Sequence, residues 1–263
     1  MHYSRGGLME SILDGLHESG HDPDALDAEA LAPLEEFHTF GRDATIALAD
    51  AAGITENDRV LDVGCGIGGP ARLLARRYGC PVVGVDLTEE FCDVAIDLNR
   101  RVGLYDRVEI RRADALDLPF ADGEFSVVWA QHVSMNVEDK PRMYAEMRRV
   151  VPTGGRLGFF DILAGPTQPI RFPVPWASDE NVSFLASALE TQVMVAAAGF
   201  RTRLWEDTTT QATGFYRAMG MLTPAPPLGL HLIVPNVPEN GANLRRNAEE
   251  GRIIVVRCVA EAV

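Results

Sequence analysis

The stretch VLDVGCGIGGPARLLARRYGCPVVGVD, residues 60–86, decides how this chain is read. An apolar run breaks at clustered glycines, resumes with the spacing of an amphipathic helix, and closes in a second apolar run that ends on an acid. That order predicts strand, turn, helix, strand. Gly64, Gly66 and Gly69 satisfy G-x-G-x-x-G, a spacing that lets the backbone turn tightly beside a nucleotide at a strand-to-helix junction. By itself the pattern is a weak signal, and two acids sharpen it. Asp86, closing the second strand, is placed to accept hydrogen bonds from ribose hydroxyls. Asp62, two residues before the first glycine, repels a pyrophosphate and attracts a ligand carrying ammonium or sulfonium charge.

S-adenosylmethionine carries both of those cations, whereas NAD carries two phosphates. On these residues the sequence resembles the class I S-adenosylmethionine-dependent methyltransferases of small-molecule type, whose first motif is similar to VLDVGCGIGG at 60–69. The resemblance implies an α/β fold: a Rossmann-like, doubly wound sheet of seven strands, mostly parallel with an antiparallel last strand, plus a helical N-terminal extension and lid. It runs in order through DVGCGIGG, Asp86, DALDLPF at 114–120, QH at 131–132 and PTGG at 152–155. Among its groups, the sarcosine/dimethylglycine N-methyltransferases and the quinone-type C-methyltransferases are nearest. The acceptor-binding motif of neither is matched in full.

Size and charge narrow the function classes. At 263 residues the chain accommodates one sizeable α/β domain with a lid. Acids outnumber bases 38 to 24, and the net charge of −14 opposes attraction to phosphate backbones and anionic lipid. Nucleic acid and membrane are therefore not expected partners. Lys140 is the single lysine among those 24 bases, a bias that fits either salt tolerance or genomic base composition. Cys65, Cys80, Cys92 and Cys258 form no C-x-x-C pair and no metal spacing, which favours reduced cytosolic thiols and no metal site. Residues 1–20 lack the apolar core of a signal peptide, and a cytoplasmic protein is expected. Self-association into a homodimer stays open.

Along the chain, amphipathic helices are expected at 8–16 and 31–37, and a longer helix at 43–52 delivers the chain to the first strand. The resemblance makes 1–52 a helical extension and lid over the methionine end of the cofactor, with Tyr3, His38 and Gly41 as its contacts; the methyltransferase domain is 53–263. Thr88 is the expected N-cap of the helix after Asp86. Leu87 follows the ribose-binding acid and, by resemblance, packs against the adenine. A strand is expected at 108–112. By the same resemblance Asp114 accepts from the adenine amine, and the Ala115 amide serves a ring nitrogen. Further strands are expected at 125–130, 156–160, 200–208 and 253–260, the last preceded by 244–250, and helices at 140–151, 190–198 and 214–221.

Gln131 and His132 follow the 125–130 strand, and ligands collect outside the carboxyl ends of parallel strands. Gln131 is expected on the cofactor. His132 is the candidate general base, because an imidazole titrates near neutrality; the alternative that it only hydrogen bonds the lid or the cofactor stays open. Asp161, expected at the next strand end, or Gln131 would orient its neighbours. Pro166, Pro169, Pro173 and Pro175 stiffen an arm within 162–190, which by resemblance covers the acceptor. Met135, Asn136, Phe172 and Trp176 are the expected acceptor contacts, and Trp176 or Tyr3 suits a cationic product through its ring face. Two other classes share the glycine turn: an NAD(P)-dependent oxidoreductase, which Asp62 opposes, and a noncatalytic S-adenosylmethionine-binding protein.

Overall fold

The computed structural model describes residues 6–35, 38–219, 227–234 and 236–263. Tyr3 lies outside them. Helices α1 (Leu8–Glu18), α2 (Ala32–Glu35) and α3 (Arg42–Ala52) lead to β1 (Val60–Val63). The chain then alternates through α4 (Gly69–Tyr78), β2 (Val82–Asp86), α5 (Glu89–Arg101), β3 (Val108–Arg112) and β4 (Val127–Gln131). It continues with α6 (Lys140–Arg149), β5 (Arg156–Ala164), α7 (Ala188–Ala197), β6 (Phe200–Asp207), α8 (Thr209–Met219), α9 (Val237–Glu249) and β7 (Ile253–Ala262).

These strands form one seven-stranded sheet in the order β3-β2-β1-β4-β5-β7-β6. The pairs from β3 to β5 are parallel, and β7 runs antiparallel to both β5 and β6. The fold expected from the resemblance is the one observed. Alternation explains why its strands read as apolar runs: Val60, Val82, Val108 and Val127 enter one core, while Leu61, Val83 and Val128 enter the other. Both faces are covered, as a parallel sheet requires. Chain order reverses between β1 and β4, so a crevice opens beyond their carboxyl ends.

Several local expectations need correction. Asp161 does not end its strand: β5 runs on to Ala164 because β7 pairs with it as far as Ala164 opposite Ile253. Thr88 is the N-cap of α5 as expected, but its side chain makes no cap bond. The helix expected at 214–221 starts at Thr209, and positions 220–221 lie outside the described residues. The stretch before the last strand, to which the sequence assigns no element, is a helix from Val237 to Glu249, and Pro238 in its first turn forfeits no helical hydrogen bond. The segment expected at 31–37 is a 3₁₀ turn followed by α2, with 36–37 outside the described residues.

The extension is pinned to the sheet domain in two ways. Leu8, Ile12, Leu16, Leu31 and Leu34 pack with Ile67, Phe91, Val94 and Leu98 in a separate apolar cluster. Beneath it Arg72, 2% exposed, donates from Nε to Glu35 Oε1 at 2.6 Å, from Nη1 to Asn99 Oδ1 at 2.9 Å and from Nη2 to the Ile67 carbonyl at 2.7 Å. One guanidinium thus joins α2, the glycine turn and α5, and a pair buried this deeply holds only because all these donors are satisfied. Gly69 permits the approach: a Cβ there would lie 2.2 Å from the Glu35 carbonyl oxygen. Gly69→Ala is therefore expected to cost about 1–3 kcal/mol through overpacking. In urea the midpoint should fall at unchanged slope; an unmoved midpoint would contradict the contact.

Candidate functional site

A cavity of about 420 Å³ occupies the crevice at the strand ends. After β1, Gly64 and Gly66 line it with positive φ of 72° and 54°. A Cβ on Gly64 would sit 2.5 Å from Val133 Cγ2, so the turn requires glycine. At the end of β2 come Asp86, its last residue, then Leu87 and Thr88. Asp86 accepts the Gly66 amide on Oδ2 at 3.0 Å and the Thr88 amide on Oδ1 at 2.8 Å, which fixes its carboxylate between the glycine turn and the start of α5. Burial pushes its pKa up, against the pull of those amides. Leu87 is 51% exposed, an apolar side chain left open at the cavity wall. After β3, Asp114 and Ala115 line the same space, and Asp114 Oδ1 accepts the Leu116 amide at 2.9 Å.

At the end of β4 the polar groups are tightly oriented. Gln131 Oε1 accepts Trp129 Nε1 at 2.9 Å and Thr45 Oγ1 at 3.0 Å, which identifies the carboxamide oxygen and leaves its nitrogen as a donor. Gln131 Nε2 is buried with no hydrogen-bond partner among the described residues. With Thr45's single proton given to Gln131, its oxygen receives His38 Nε2–H at 3.2 Å. His38, on the extension, thereby reaches the cavity wall through a hydrogen-bonded chain.

His132 has the left-handed φ of 54°, and its amide donates to the Phe160 carbonyl at 2.8 Å. For a residue other than glycine such a backbone costs energy and marks a site where geometry matters. Its ring stacks on Phe160 with centroids 5.4 Å apart and meets the His38 ring edge-on at 6.0 Å. Nε2 is buried and has no partner among the described residues. Burial first, then the neighbouring His38, hold the imidazole well below its usual pKa, so it is neutral at physiological pH.

Beyond His132 the wall is stitched from two segments. The Phe184 amide donates to the Met135 carbonyl at 2.8 Å, and Asn136 Nδ2 donates to the Trp176 carbonyl at 2.8 Å. Lys140 Nζ donates to the Val137 carbonyl at 2.7 Å and to the Phe184 carbonyl. Trp176, 4% exposed, lines the cavity with its indole N–H on Ser183 Oγ at 3.0 Å. Lys140 was not singled out from the sequence as a site residue; a lone lysine in an arginine-biased chain was the available signal.

Gly64, Gly66, Asp86, Leu87, Asp114 and Ala115 are thus brought together with Gln131, His132, Met135, Asn136, Trp176 and His38. Three expected residues do not line the cavity. Asp62 is buried on the face of β1 that also carries Val60, and it reaches the site as a field: burial first, then the Asp62 charge, push the pKa of the Cys65 thiol beside the turn up. Gly41 lies outside the lining. Phe172 is absent from the lining and lies partly buried against the apolar cluster that also holds Trp129, Met135 and Trp176. The described lining contains Glu35, Asp86 and Asp114 and no lysine or arginine. Among the described residues no group of three His, Cys, Asp or Glu side chains is arranged to hold a metal ion.

The comparisons agree with this fold. Residues 61–159, from β1 into β5, match the family model of the methyltransferase domain. Methyltransferase GfsG of Streptomyces halstedii is 38% identical over 160 residues, 61% of this chain and 55% of that protein. Sarcosine/dimethylglycine N-methyltransferase of Halorhodospira halochloris is 30% identical over 157 residues, 60% and 56% of the two. The chain spans about half the length of such curated relatives. A solved geranyl diphosphate C-methyltransferase of Streptomyces coelicolor A3(2), in complex with Mg²⁺, geranyl diphosphate and S-adenosyl-L-homocysteine, superposes with a TM-score of 0.72 at 23% identity, covering 84% of this chain and 80% of that one. Residues 61–159 thus match a methyltransferase domain, and the fold around them is the Rossmann-like one that the resemblance implied.

Asp161, 2% exposed, does not line the cavity; it accepts the Ser134 amide at 2.9 Å and the Ile162 amide at 3.1 Å, and so holds the turn that carries Met135 and Asn136. Burial pushes its pKa up to about 6 from 3.8, against these hydrogen bonds. A carboxyl that is harder to ionise when folded stabilises below pH 4 and loses that contribution as pH rises toward 6, up to about 3 kcal/mol for a shift of this size. Asp161→Asn should gain stability relative to the parent as pH rises from 4 to 7 in denaturant titrations. Parallel pH curves would contradict the assignment.

Proposed function

We propose that the protein transfers a methyl group from S-adenosylmethionine to a small organic acceptor by in-line displacement. The carrying observation is that carboxylates after successive strands line one cavity that no lysine or arginine side chain enters, among the described residues. Such a cavity attracts a cation and repels a dinucleotide's phosphates. The cradle fits: Gly64 leaves room no Cβ would leave, and Gln131 Nε2 and His132 Nε2 are buried donors or acceptors awaiting a partner.

In this reading Asp86 holds the ribose hydroxyls, Asp114 and the Ala115 amide read the adenine edge, and Leu87 covers its face. Gln131, the Gly64 and Gly66 backbone and His38 receive the methionine end, Asp62 adds negative field, and Tyr3 and Gly41 belong to the covering extension at 1–52. The arm at 162–190 closes the acceptor side. When bound, the cofactor supplies an electrophilic methyl on a sulfonium. Alignment of acceptor and methyl contributes roughly 7–11 kcal/mol as effective concentration, and His132 as general base adds about 10²–10⁴-fold. The depressed pKa keeps its imidazole unprotonated and also limits its basicity, so positioning dominates. A cytoplasmic setting, with no nucleic acid partner, fits the acidic composition; among the described residues no helix is long and apolar enough to cross a membrane.

Calorimetric titration should detect S-adenosylmethionine and S-adenosylhomocysteine but not NADH, and Asp86→Ala should weaken both by tenfold or more. Preference for NADH would favour the oxidoreductase reading. With a turned-over acceptor, His132→Ala should lower kcat by about two to four powers of ten at unchanged cofactor affinity; an unchanged kcat would remove the base, and failure of every acceptor would favour the noncatalytic alternative.

A further inference from the structure

We propose that the acceptor is an uncharged, largely apolar molecule presenting a hydroxyl to His132, so that the methyl ends on oxygen; this rests on the methyl-transfer reading above. The cavity is chemically divided. Its carboxylates follow β2 and β3 or come from Glu35, which already pairs with Arg72 and Arg42. The wall beyond His132 includes Met135, Val137, Trp176, Val182 and Phe184, with the carboxamides of Asn136 and Asn181 among them. No ionisable side chain other than His132 and His38 lines that end among the described residues.

The charges close behind this wall are committed. Lys140 Nζ serves the Val137 and Phe184 carbonyls, and Asp161 serves the Ser134 and Ile162 amides. An anionic acceptor entering here would lose its water and meet no counter-charge, and an ammonium would find only the Trp176 ring and no carboxylate. The geranyl diphosphate enzyme was solved with Mg²⁺ and a diphosphate; this chain has that fold without, among its described residues, a metal-holding cluster or a base on the cavity wall. A neutral apolar molecule is the kind this wall buries favourably.

One polar atom at that end awaits a partner. His132 Nε2 is buried, lacks a hydrogen bond among the described residues, and is held by the Phe160 stack and a strained backbone. An acceptor hydroxyl donating to it is pointed by that bond. Its oxygen forms the new C–O bond as the methyl–sulfur bond breaks; sulfur keeps the electron pair as a neutral thioether, and the hydroxyl proton passes to Nε2 and then to water.

The test uses the full chain saturated with S-adenosylhomocysteine and probes it by calorimetry with 4-octylphenol, geranyl diphosphate and dimethylglycine. Octylphenol is expected to bind at least tenfold more tightly than either charged probe. Val182→Asp, on a partly exposed wall position, should weaken octylphenol tenfold or more and leave S-adenosylhomocysteine affinity unchanged. With S-adenosylmethionine, octylphenol should yield the methyl ether. Equal or tighter binding of a charged probe, no octylphenol binding, a ring-methylated product or no transfer to bound octylphenol would each overturn the proposal. Failure of S-adenosylhomocysteine to bind would instead strike the methyl-transfer reading.

Discussion

The Asp86 carboxylate, gripped by the amides of Gly66 and Thr88, is the constraint on which the site depends. A single acid locks the glycine turn after β1 to the start of α5 after β2, and it remains part of the cavity wall. Its neighbours repeat the theme: Asp114 follows β3 and Asp62 is buried within β1. A parallel sheet sends the ends of its strands to one edge, so acids scattered through the sequence become one local field there. In the proposed methyl transfer, that field favours a cationic nucleoside.

The extension depends on the same region. Arg72 on α4 ties Glu35 to the glycine turn and α5, Gly69 gives the extension backbone room to descend, and His38 reaches Gln131 through Thr45. Closing the cavity and ordering the extension are therefore coupled through buried polar contacts. Loss of one partner would leave a charge or donor stranded in the interior, which is costlier than loss of a surface pair.

Much of this was legible in the sequence where local pattern and tertiary role coincide. The strand at 108–112 was read at its observed bounds, and the acids after β2 and β3 were found because strand ends are visible as the end of an apolar run. What escaped depends on contacts distant along the chain. β5 outlasts Asp161 because β7 pairs with it; Phe172 is partly buried against the apolar cluster rather than in the cavity lining; Arg72, an arginine on an otherwise ordinary helix, is buried by Glu35 of the extension. Lys140 likewise acts through carbonyls more than 40 residues apart, at Val137 and Phe184. Propensity and periodicity carry no information about such pairings.

The most direct measurement is a crystal structure of the protein with S-adenosylhomocysteine. The ribose hydroxyls should lie within hydrogen-bond distance of Asp86, with the adenine beside Leu87 and Asp114 and the methionine end toward Gln131. A nucleoside bound elsewhere, or lying in the cavity with its adenine at Gln131, would contradict recognition by carboxylates at the strand ends.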